Sequence, residues 1–176
     1  MIVVDTSAMI ALLDADDADH AGVREMYDDN PAAWVLPWAI LPEVDYLVAR
    51  ELGGKAQDAW LADLADGAFS IEWGRGDDLA AAQRVHRRYA ALRLGLVDAL
   101  VIAVAERLKA EAIATLDLRH FGAVAIKGVP GVEKVDLNIN AFDFPAAHLY
   151  KVSDGKIHEI EAMGVSVPYN SKTGWE

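Results

Sequence analysis

The amino-acid sequence predicts an α/β fold with a mostly parallel central sheet and helices on both faces. Short apolar segments alternate along the chain with longer segments of helical periodicity, which is the order that a parallel sheet requires. The chain has 176 residues, 53% of them hydrophobic, which is enough for one domain with a substantial core. The alternation ends near Gly131, so we expect a domain over residues 1–132 and a C-terminal extension over residues 133–176.

The predicted strands are the short apolar segments, each next to a polar residue or a turn former. The first is a buried strand at residues 1–4 that ends at Asp5. The others are predicted at residues 33–36, 69–73, 112–115 and 124–126. Functional groups gather at the carboxyl ends of parallel strands, so the residues that follow these segments are the first candidates for a site.

Helical periodicity and capping residues predict six helices between these strands. Thr6 or Ser7 is expected to cap the first helix, and Pro42 is tolerable only in the first turn of the third. Gly53 and Gly54 end the third helix. The six helices are predicted at residues 7–13, 21–29, 40–52, 55–64, 77–92 and 98–109.

The helix predicted at 77–92 is strongly amphipathic, and its faces suggest different roles. The core face follows the helical period through Ala82, Val85, Tyr89 and Leu92. A different face carries the three arginines Arg84, Arg87 and Arg88. This basic face is either an ordinary solvated surface or a set of phosphate contacts outside the active site. The wholly apolar run at 99–105 predicts, by contrast, a buried central helix.

The net charge of −12 limits the ways in which the chain can bind a polyanion. Proteins that bind nucleic acid through bulk charge are usually basic. Either nucleic acid is not the ligand, or it binds through metal ions and a local basic patch. A basic partner is a further possibility.

The absence of cysteine excludes a disulfide framework, a cysteine nucleophile and thiolate zinc sites. It suits a reducing, cytoplasmic location. No basic segment followed by an apolar stretch opens the chain, so no signal peptide is expected. The longest uncharged run, residues 30–42, is well below the roughly 20 residues of a membrane span, and we expect no membrane association.

Four acidic residues lie beside strongly apolar sequence: Asp5 and Asp117 after predicted strands, and Glu43 and Asp98 in the first turns of helices. A carboxylate next to a core is costly unless it is paired or bound to a metal. In a parallel sheet all four could face one crevice. Mg²⁺ and Mn²⁺ prefer oxygen ligands, and a cation would relieve the repulsion among clustered carboxylates.

Each acid also has a structural explanation of its own. Asp5 and Asp98 could cap helices, Glu43 could be an ordinary surface residue, and Asp117 could be a turn former. The joint placement is harder to explain in this way, and it favours a shared metal site. Asp45 is excluded from that site because it lies about 200° around the helix from Glu43.

The motifs around these acids carry a resemblance. They are Ile-Val-Val-Asp-Thr-Ser at residues 2–7, Gly-Leu-Val-Asp-Ala at 95–99 before an alanine-rich helix, Ala-Thr-Leu-Asp at 114–117, and an acid in the third helix. As a set they resemble the PIN-domain family and, more narrowly, the VapC-type toxins of bacterial toxin–antitoxin pairs. The resemblance covers about residues 1–132 and implies a PIN-like three-layer sandwich.

The resemblance also implies a function. Its catalytic residues would be the four acids, Asp5, Glu43, Asp98 and Asp117, which would hold Mg²⁺ or Mn²⁺. Thr6, Ser7 and Thr115 would be supporting hydroxyls near metal or phosphate. The implied reaction is the cleavage of single-stranded or loop RNA by a water molecule. The implied partners are a small antitoxin protein and a second copy of the chain in a homodimer.

Two other functions compete with this one. A catalytically inactive PIN-like module would bind RNA or protein without turnover, and intact carboxylates at all four positions argue against it. A phosphotransfer enzyme of the haloacid-dehalogenase type would normally have a second aspartate two residues after Asp5, where this chain has Ser7.

The extension after residue 132 has a different pattern. Residues 149–152 and 157–160 flank Asp154-Gly155, which is a hairpin signal, and the final segment at 168–176 resembles coil. The hairpin is similar to the terminal hairpin of the nuclear-transport-factor and scytalone-dehydratase type of fold. About 40 residues are too few for that fold, so no second activity is inferred.

Other side chains near the acids and strands receive plainer interpretations. Trp34, Trp38 and Trp60 are expected to pack in the core or an interface and are not interpreted as base-stacking platforms. Arg119 and His120 follow Asp117 closely and could touch the scissile region, although surface placement is the favoured interpretation.

Overall fold

A computed structural model describes residues 1–122, Val124, and two later strands at residues 148–153 and 156–159. The predicted α/β architecture is confirmed, with four parallel strands and seven helices in the described residues. The strands are β1 Ile2–Val4, β2 Trp34–Pro37, β3 Ser70–Glu72 and β4 Ala112–Thr115. The helices are α1 Thr6–Leu13, α2 His20–Asp29, α3 Leu41–Leu47, α4 Gly54–Ala65, α5 Asp78–Arg88, α6 Leu96–Leu108 and α7 Leu118–Phe121.

The four parallel strands lie in the order β3-β2-β1-β4. The register pairs Val3 with Val35 and with Ile113, and it pairs Pro37 with Glu72. The carboxyl ends of all four strands therefore share one edge of the sheet. We call it the carboxyl edge.

Two later strands extend the same sheet through antiparallel pairings. Strand β5, His148–Ser153, is antiparallel to β4, and β6, Lys156–Glu159, is antiparallel to β5. The predicted Asp154-Gly155 turn, the coil at 168–176 and most of the predicted strand at 124–126 lie outside the described residues.

The core lies between the sheet and its helices, and α6 is its central element. Every residue from Ala99 to Ala105 is buried, as the apolar run predicts. Trp34 and Trp60 are also buried, and they meet Tyr27 and Phe69 in an aromatic cluster. Trp38 is not a core residue, because it is 37% exposed beyond the end of β2, and the alternative of an interface position stays a prediction.

Several helix ends differ from the prediction for local reasons. The cap of α1 is Asp5, which accepts from the backbone N–H of Ser7, and not Thr6 or Ser7. Helix α6 begins at Leu96 because Gly95 is its extended N-cap, which leaves Asp98 at the third helical position. The amphipathic helix stops at Arg88, and a 3₁₀ turn at Ala90–Leu92 replaces its last residues.

The third predicted helix is divided. A 3₁₀ turn at Trp38–Ile40 precedes α3, and a π-helical turn at Val48–Leu52 follows it. Gly53, with φ of 87°, ends the segment in a conformation that favours glycine. Across the described ranges, no helix is long and apolar enough to cross a membrane.

Candidate active site

Asp5 is the most buried of the four predicted acids, with 5% of its surface exposed. It follows β1 directly, and its backbone N–H donates to the Ala114 carbonyl at 2.9 Å. Its Oδ2 accepts hydrogen bonds from the Ser7 hydroxyl at 2.7 Å and from the Thr115 hydroxyl at 3.0 Å. The carboxylate is therefore held by neutral donors at the carboxyl edge.

The environment of Asp5 disfavours its charge. Burial raises the pKa of this carboxyl group above its ordinary value, and the hydrogen bonds from Ser7 and Thr115 oppose that shift without cancelling it. The charge of Asp98 raises the same pKa further, which places Asp98 within electrostatic reach of Asp5. A bound cation would favour the charged form.

Ser7 and Thr115 connect Asp5 to the loop after β4. The Ser7 hydroxyl accepts from the backbone N–H of Leu116 at 2.9 Å. The Thr115 hydroxyl accepts from the backbone N–H of Asp117 at 3.0 Å. The two hydroxyls thus tie β1, α1 and the loop of Asp117 into one hydrogen-bonded unit.

Glu43 reaches the same unit from α3. The Thr6 hydroxyl donates to Glu43 Oε2 at 2.6 Å, although Glu43 is exposed and 37 residues away in sequence. All three predicted supporting hydroxyls are thus bonded to predicted acids. Asp45, which sequence reasoning excludes, instead accepts from Gln57 Nε2 at 3.0 and 3.1 Å.

Asp98 and Asp117 meet at a histidine. His120 Nδ1 lies 3.3 Å from Asp98 Oδ2 and 3.2 Å from Asp117 Oδ2. His120 is in α7, a short helix that the sequence does not predict, and its side chain is half-buried. His120 is therefore partly exposed and contacts two of the acids, and spacing alone does not reveal that contact.

The acids also have the structural roles that were offered as alternatives. Asp5 caps α1, and Asp98 Oδ2 accepts from the backbone N–H of Gly95 at 2.9 Å. Asp117 Oδ1 accepts from the backbone N–H groups of Arg119 and His120, which is the behaviour of a turn former. These hydrogen bonds account for the positions of the three carboxylates. They do not exclude metal binding by the remaining carboxylate oxygens.

Intervening side chains therefore link the four acids at the carboxyl edge: Thr115 links Asp5 to the loop of Asp117, His120 links Asp98 to Asp117, and Thr6 contacts Glu43. In the described residues, no three His, Cys, Asp or Glu side chains already lie in an arrangement that could hold a metal ion. The donor set nevertheless suits a hard cation, because it consists of carboxylate and hydroxyl oxygens. Burial is the main cause of the raised pKa of Asp5, and a bound cation would oppose that shift.

Only one of the three arginines on the predicted basic face of α5 forms an ion pair in the described residues. Arg84 and Arg87 are exposed, and neither forms an ion pair within the described part of the chain. Arg88 differs, because its Nη2 lies 2.6 Å from Glu106 Oε1 and its guanidinium also lies over the Tyr89 ring. The candidates for phosphate contact on this helix are therefore Arg84 and Arg87.

The sequence analysis does not predict the ion network that joins β3, α5 and α6. Asp78 is 2% exposed and receives two hydrogen bonds from the Arg107 guanidinium, at 2.8 and 3.0 Å. Arg107 also pairs with Glu72 Oε1 at 3.1 Å. Asp78 stands at the start of a helix, where a cap is the ordinary explanation, and its partner is 29 residues away.

Comparison with known proteins agrees with this architecture. Residues 2–127 match the family model of the PIN domain. Ribonuclease VapC26 of Mycobacterium tuberculosis is 37% identical over 123 residues, which cover 70% of this chain and 91% of that protein. The crystal structure of M. tuberculosis VapC20, described as a sarcin-ricin loop cleaving toxin, is similar with a TM-score of 0.61 and 26% identity. That match covers 66% of this chain and 90% of VapC20.

Proposed function

This chain belongs to the PIN-domain family, and we propose that it is a metal-dependent endoribonuclease, the toxin of a toxin–antitoxin pair. The observation that carries the proposal is Asp5. It is a buried carboxylate with a raised pKa, held by hydroxyls and lying near a second carboxylate, Asp98. Such a group is costly unless a cation joins it.

The residues that would hold Mg²⁺ or Mn²⁺ are Asp5, Glu43, Asp98 and Asp117. When bound, the ion would offset charge on the phosphodiester and make the attacking water more acidic. The chain itself supplies orientation: Ser7 and Thr115 hold Asp5, and Thr6 holds Glu43. His120 holds Asp98 and Asp117 next to each other.

The proposed partners follow from the same family. RNA is the substrate, a small antitoxin protein is the inhibitor, and a second copy of the chain completes a homodimer. We propose that this nuclease unit comprises residues 1–132 and acts in the cytoplasm. The net charge of −12 agrees with an RNA that binds through metal and local cations more than through bulk charge.

The test is RNA cleavage by Asp98→Asn under titration with Mg²⁺ and Mn²⁺. The variant keeps the shape of Asp98 and removes a ligand charge. The loss should therefore exceed the roughly 10- to 100-fold effect typical of residues that only support a metal ligand. Asp45→Asn is the matched control, because Asp45 is a half-buried acid that bonds to Gln57. If Asp98→Asn cleaves RNA at the wild-type rate, Asp98 acts only as a helix cap.

The same titration tests the alternative of an inactive binding module. A chain that binds RNA but does not cut it at any concentration of either metal would be such a module. The specific contacts of Thr6, Ser7 and Thr115 with the acids favour the enzyme, because a module without turnover has no need of oriented carboxylates.

A further inference from the structure

Two exposed tryptophans stand on the carboxyl edge, in line with the acids. Trp38 directly follows β2 and Trp73 directly follows β3, and the strands place Pro37 beside Glu72. The two tryptophans are therefore neighbours in register. Their exposures, 37% and 73%, contrast with the burial of Trp34 and Trp60. Trp73 is the most exposed large hydrophobic side chain in the described residues.

The sheet order sets the positions of these rings relative to the acids. Strand β2 neighbours β1, and β3 is the next strand outward. Parallel strands lie about 4.8 Å apart, so Trp38 is one strand and Trp73 two strands from the strand that ends at Asp5. An RNA chain that crosses the carboxyl edge from the acids would meet Trp38 first and Trp73 second.

Two acidic side chains accept hydrogen bonds from the backbone of the loop that carries Trp73. The Glu72 carboxylate accepts from the backbone N–H of Gly74 at 3.0 Å, and Asp78 Oδ2 accepts from the backbone N–H of Arg75 at 2.8 Å. Arg107 clamps both of these acids. The backbone around an exposed ring is thus fixed by a partly buried ion network.

Gly74 fixes the position of Trp38 relative to the same loop. Its φ of 83° favours glycine, and a Cβ at this position would overlap the indole Nε1 of Trp38. The backbone of the Trp73 loop therefore packs directly against the Trp38 ring. Arg75, exposed next to Trp73, adds a cation suited to phosphate.

We propose that Trp38 and Trp73 form a stacking platform for unpaired RNA bases that flank the scissile phosphate. This inference rests on the proposed function, since it takes RNA as the substrate. Aromatic side chains stack on bases of any sequence, because every base has a π-face, and only unpaired bases offer that face freely. The platform restricts the substrate to single-stranded segments or loops. It replaces the interpretation of Trp38 as a core or interface residue that does not stack on bases.

The test is RNA binding by the full chain carrying Asp98→Asn, which is expected not to cut. A labelled single-stranded RNA is titrated and its fluorescence anisotropy is measured. Adding Trp73→Leu should weaken binding by about tenfold, the effect of losing one stacked base. Adding Trp73→Phe should restore most of the affinity, because it restores an aromatic face. Leu61→Ala, which changes an exposed apolar side chain on α4, is the control and should have no effect.

Three results would overturn the platform. The first is equal affinity for Trp73→Leu and its parent. The second is a Trp73→Phe variant as weak as Trp73→Leu. The third is a change in oligomeric mass with no change in RNA affinity, which would make this face a protein contact. A duplex of the same sequence should be insensitive to Trp73, and an equal loss for the duplex would also contradict stacking.

Cleavage by the chain with Asp98 intact separates this inference from the proposed function. If Trp73→Leu cuts RNA with unchanged KM, the platform is wrong and the nuclease assignment stands. If RNA binding depends on Trp73 but no cleavage occurs in Mg²⁺ or Mn²⁺, the platform stands and the hydrolysis is wrong. The expected result is a raised KM with a smaller change in kcat.

Discussion

Asp5 and Asp78 are two buried aspartates of the same fold with opposite surroundings. Asp78 is 2% exposed and lies against the Arg107 guanidinium, which donates to both of its oxygens. Asp5 is 5% exposed, and its donors are the hydroxyls of Ser7 and Thr115 and the backbone N–H of Ser7. In the described residues, Asp5 forms no ion pair.

The two aspartates differ in the groups that balance their buried charge. The negative charge of Asp78 is balanced within the protein, because Arg107 supplies the cation. Asp5 has neutral donors among the described residues, and burial raises the pKa of its carboxyl group. Asp5, a buried acid with no cationic side chain beside it in the described residues, is therefore the better candidate for a functional group.

The largest effect on stability should come from removing the ion pair between Asp78 and Arg107. Asp78→Asn leaves the partly buried Arg107 without its closest anion, and the loss of one partner from a buried pair typically costs about 3–5 kcal/mol. We expect Tm to fall by on the order of 10 °C in thermal unfolding followed by circular dichroism. Asp16→Asn, on an exposed loop, is the control. A Tm within a degree of the wild-type value would refute the comparison.

We expect a bound metal ion to stabilise the protein through Asp5 and not through Asp78. Saturation with Mn²⁺ to about a hundred times its Kd should stabilise the wild-type chain by about 2.7 kcal/mol. Asp5→Asn should lose this increment, whereas Asp78→Asn should keep it despite its lower starting Tm. Calorimetric titration measures the binding directly. Equal metal stabilisation of both variants would mean that Asp5 is not a ligand.

Without metal, Asp5→Asn should stabilise the protein, which is the opposite sign to Asp78→Asn. The raised folded-state pKa of Asp5 means that folding favours the protonated form, so its contribution is fully present below the ordinary value of 3.8. That contribution is lost as pH rises through the raised pKa. In chelator at pH 7, we expect Tm to rise by about 2–4 °C per kcal/mol recovered, with the difference shrinking in acid. A lower Tm for Asp5→Asn at pH 7 would show that its role as helix cap dominates.

The same distinction between paired and unpaired charges applies to the arginines, with a smaller effect. Arg84→Ala with Arg87→Ala should weaken RNA binding and flatten its salt dependence, by about 0.7 in the logarithmic slope for each lost phosphate contact on single-stranded RNA. Arg24→Ala, which removes an arginine paired with Asp28, is the control. Affinity measured across a range of salt concentrations tests the prediction, and an unchanged slope would return this face to ordinary solvated surface.

The sequence predicts the parallel sheet because its strands depend on local pattern. Uniform apolar runs mark β1 and β4, and the candidate site residues Asp5 and Asp117 follow these strands closely. What sequence reasoning misses depends on contacts between distant segments. His120 is placed by Asp98, 22 residues earlier, and nothing in its spacing indicates that contact. Trp73 is exposed because β3 is an edge strand of the sheet, and strand order is a tertiary property.

The pairing of the first strand with the fourth has a consequence for the order of synthesis. Strand β1 lies between β2 and β4, and Asp5 receives its Thr115 hydrogen bond only when residues 112–115 are in place. A chain still emerging from the ribosome therefore carries Asp5 and Glu43 with no assembled centre until residue 115 has been made. Translation that stops before Thr115 leaves a fragment without the geometry for cleavage. The cell that makes this protein is exposed to its activity only after a nearly complete domain has left the ribosome.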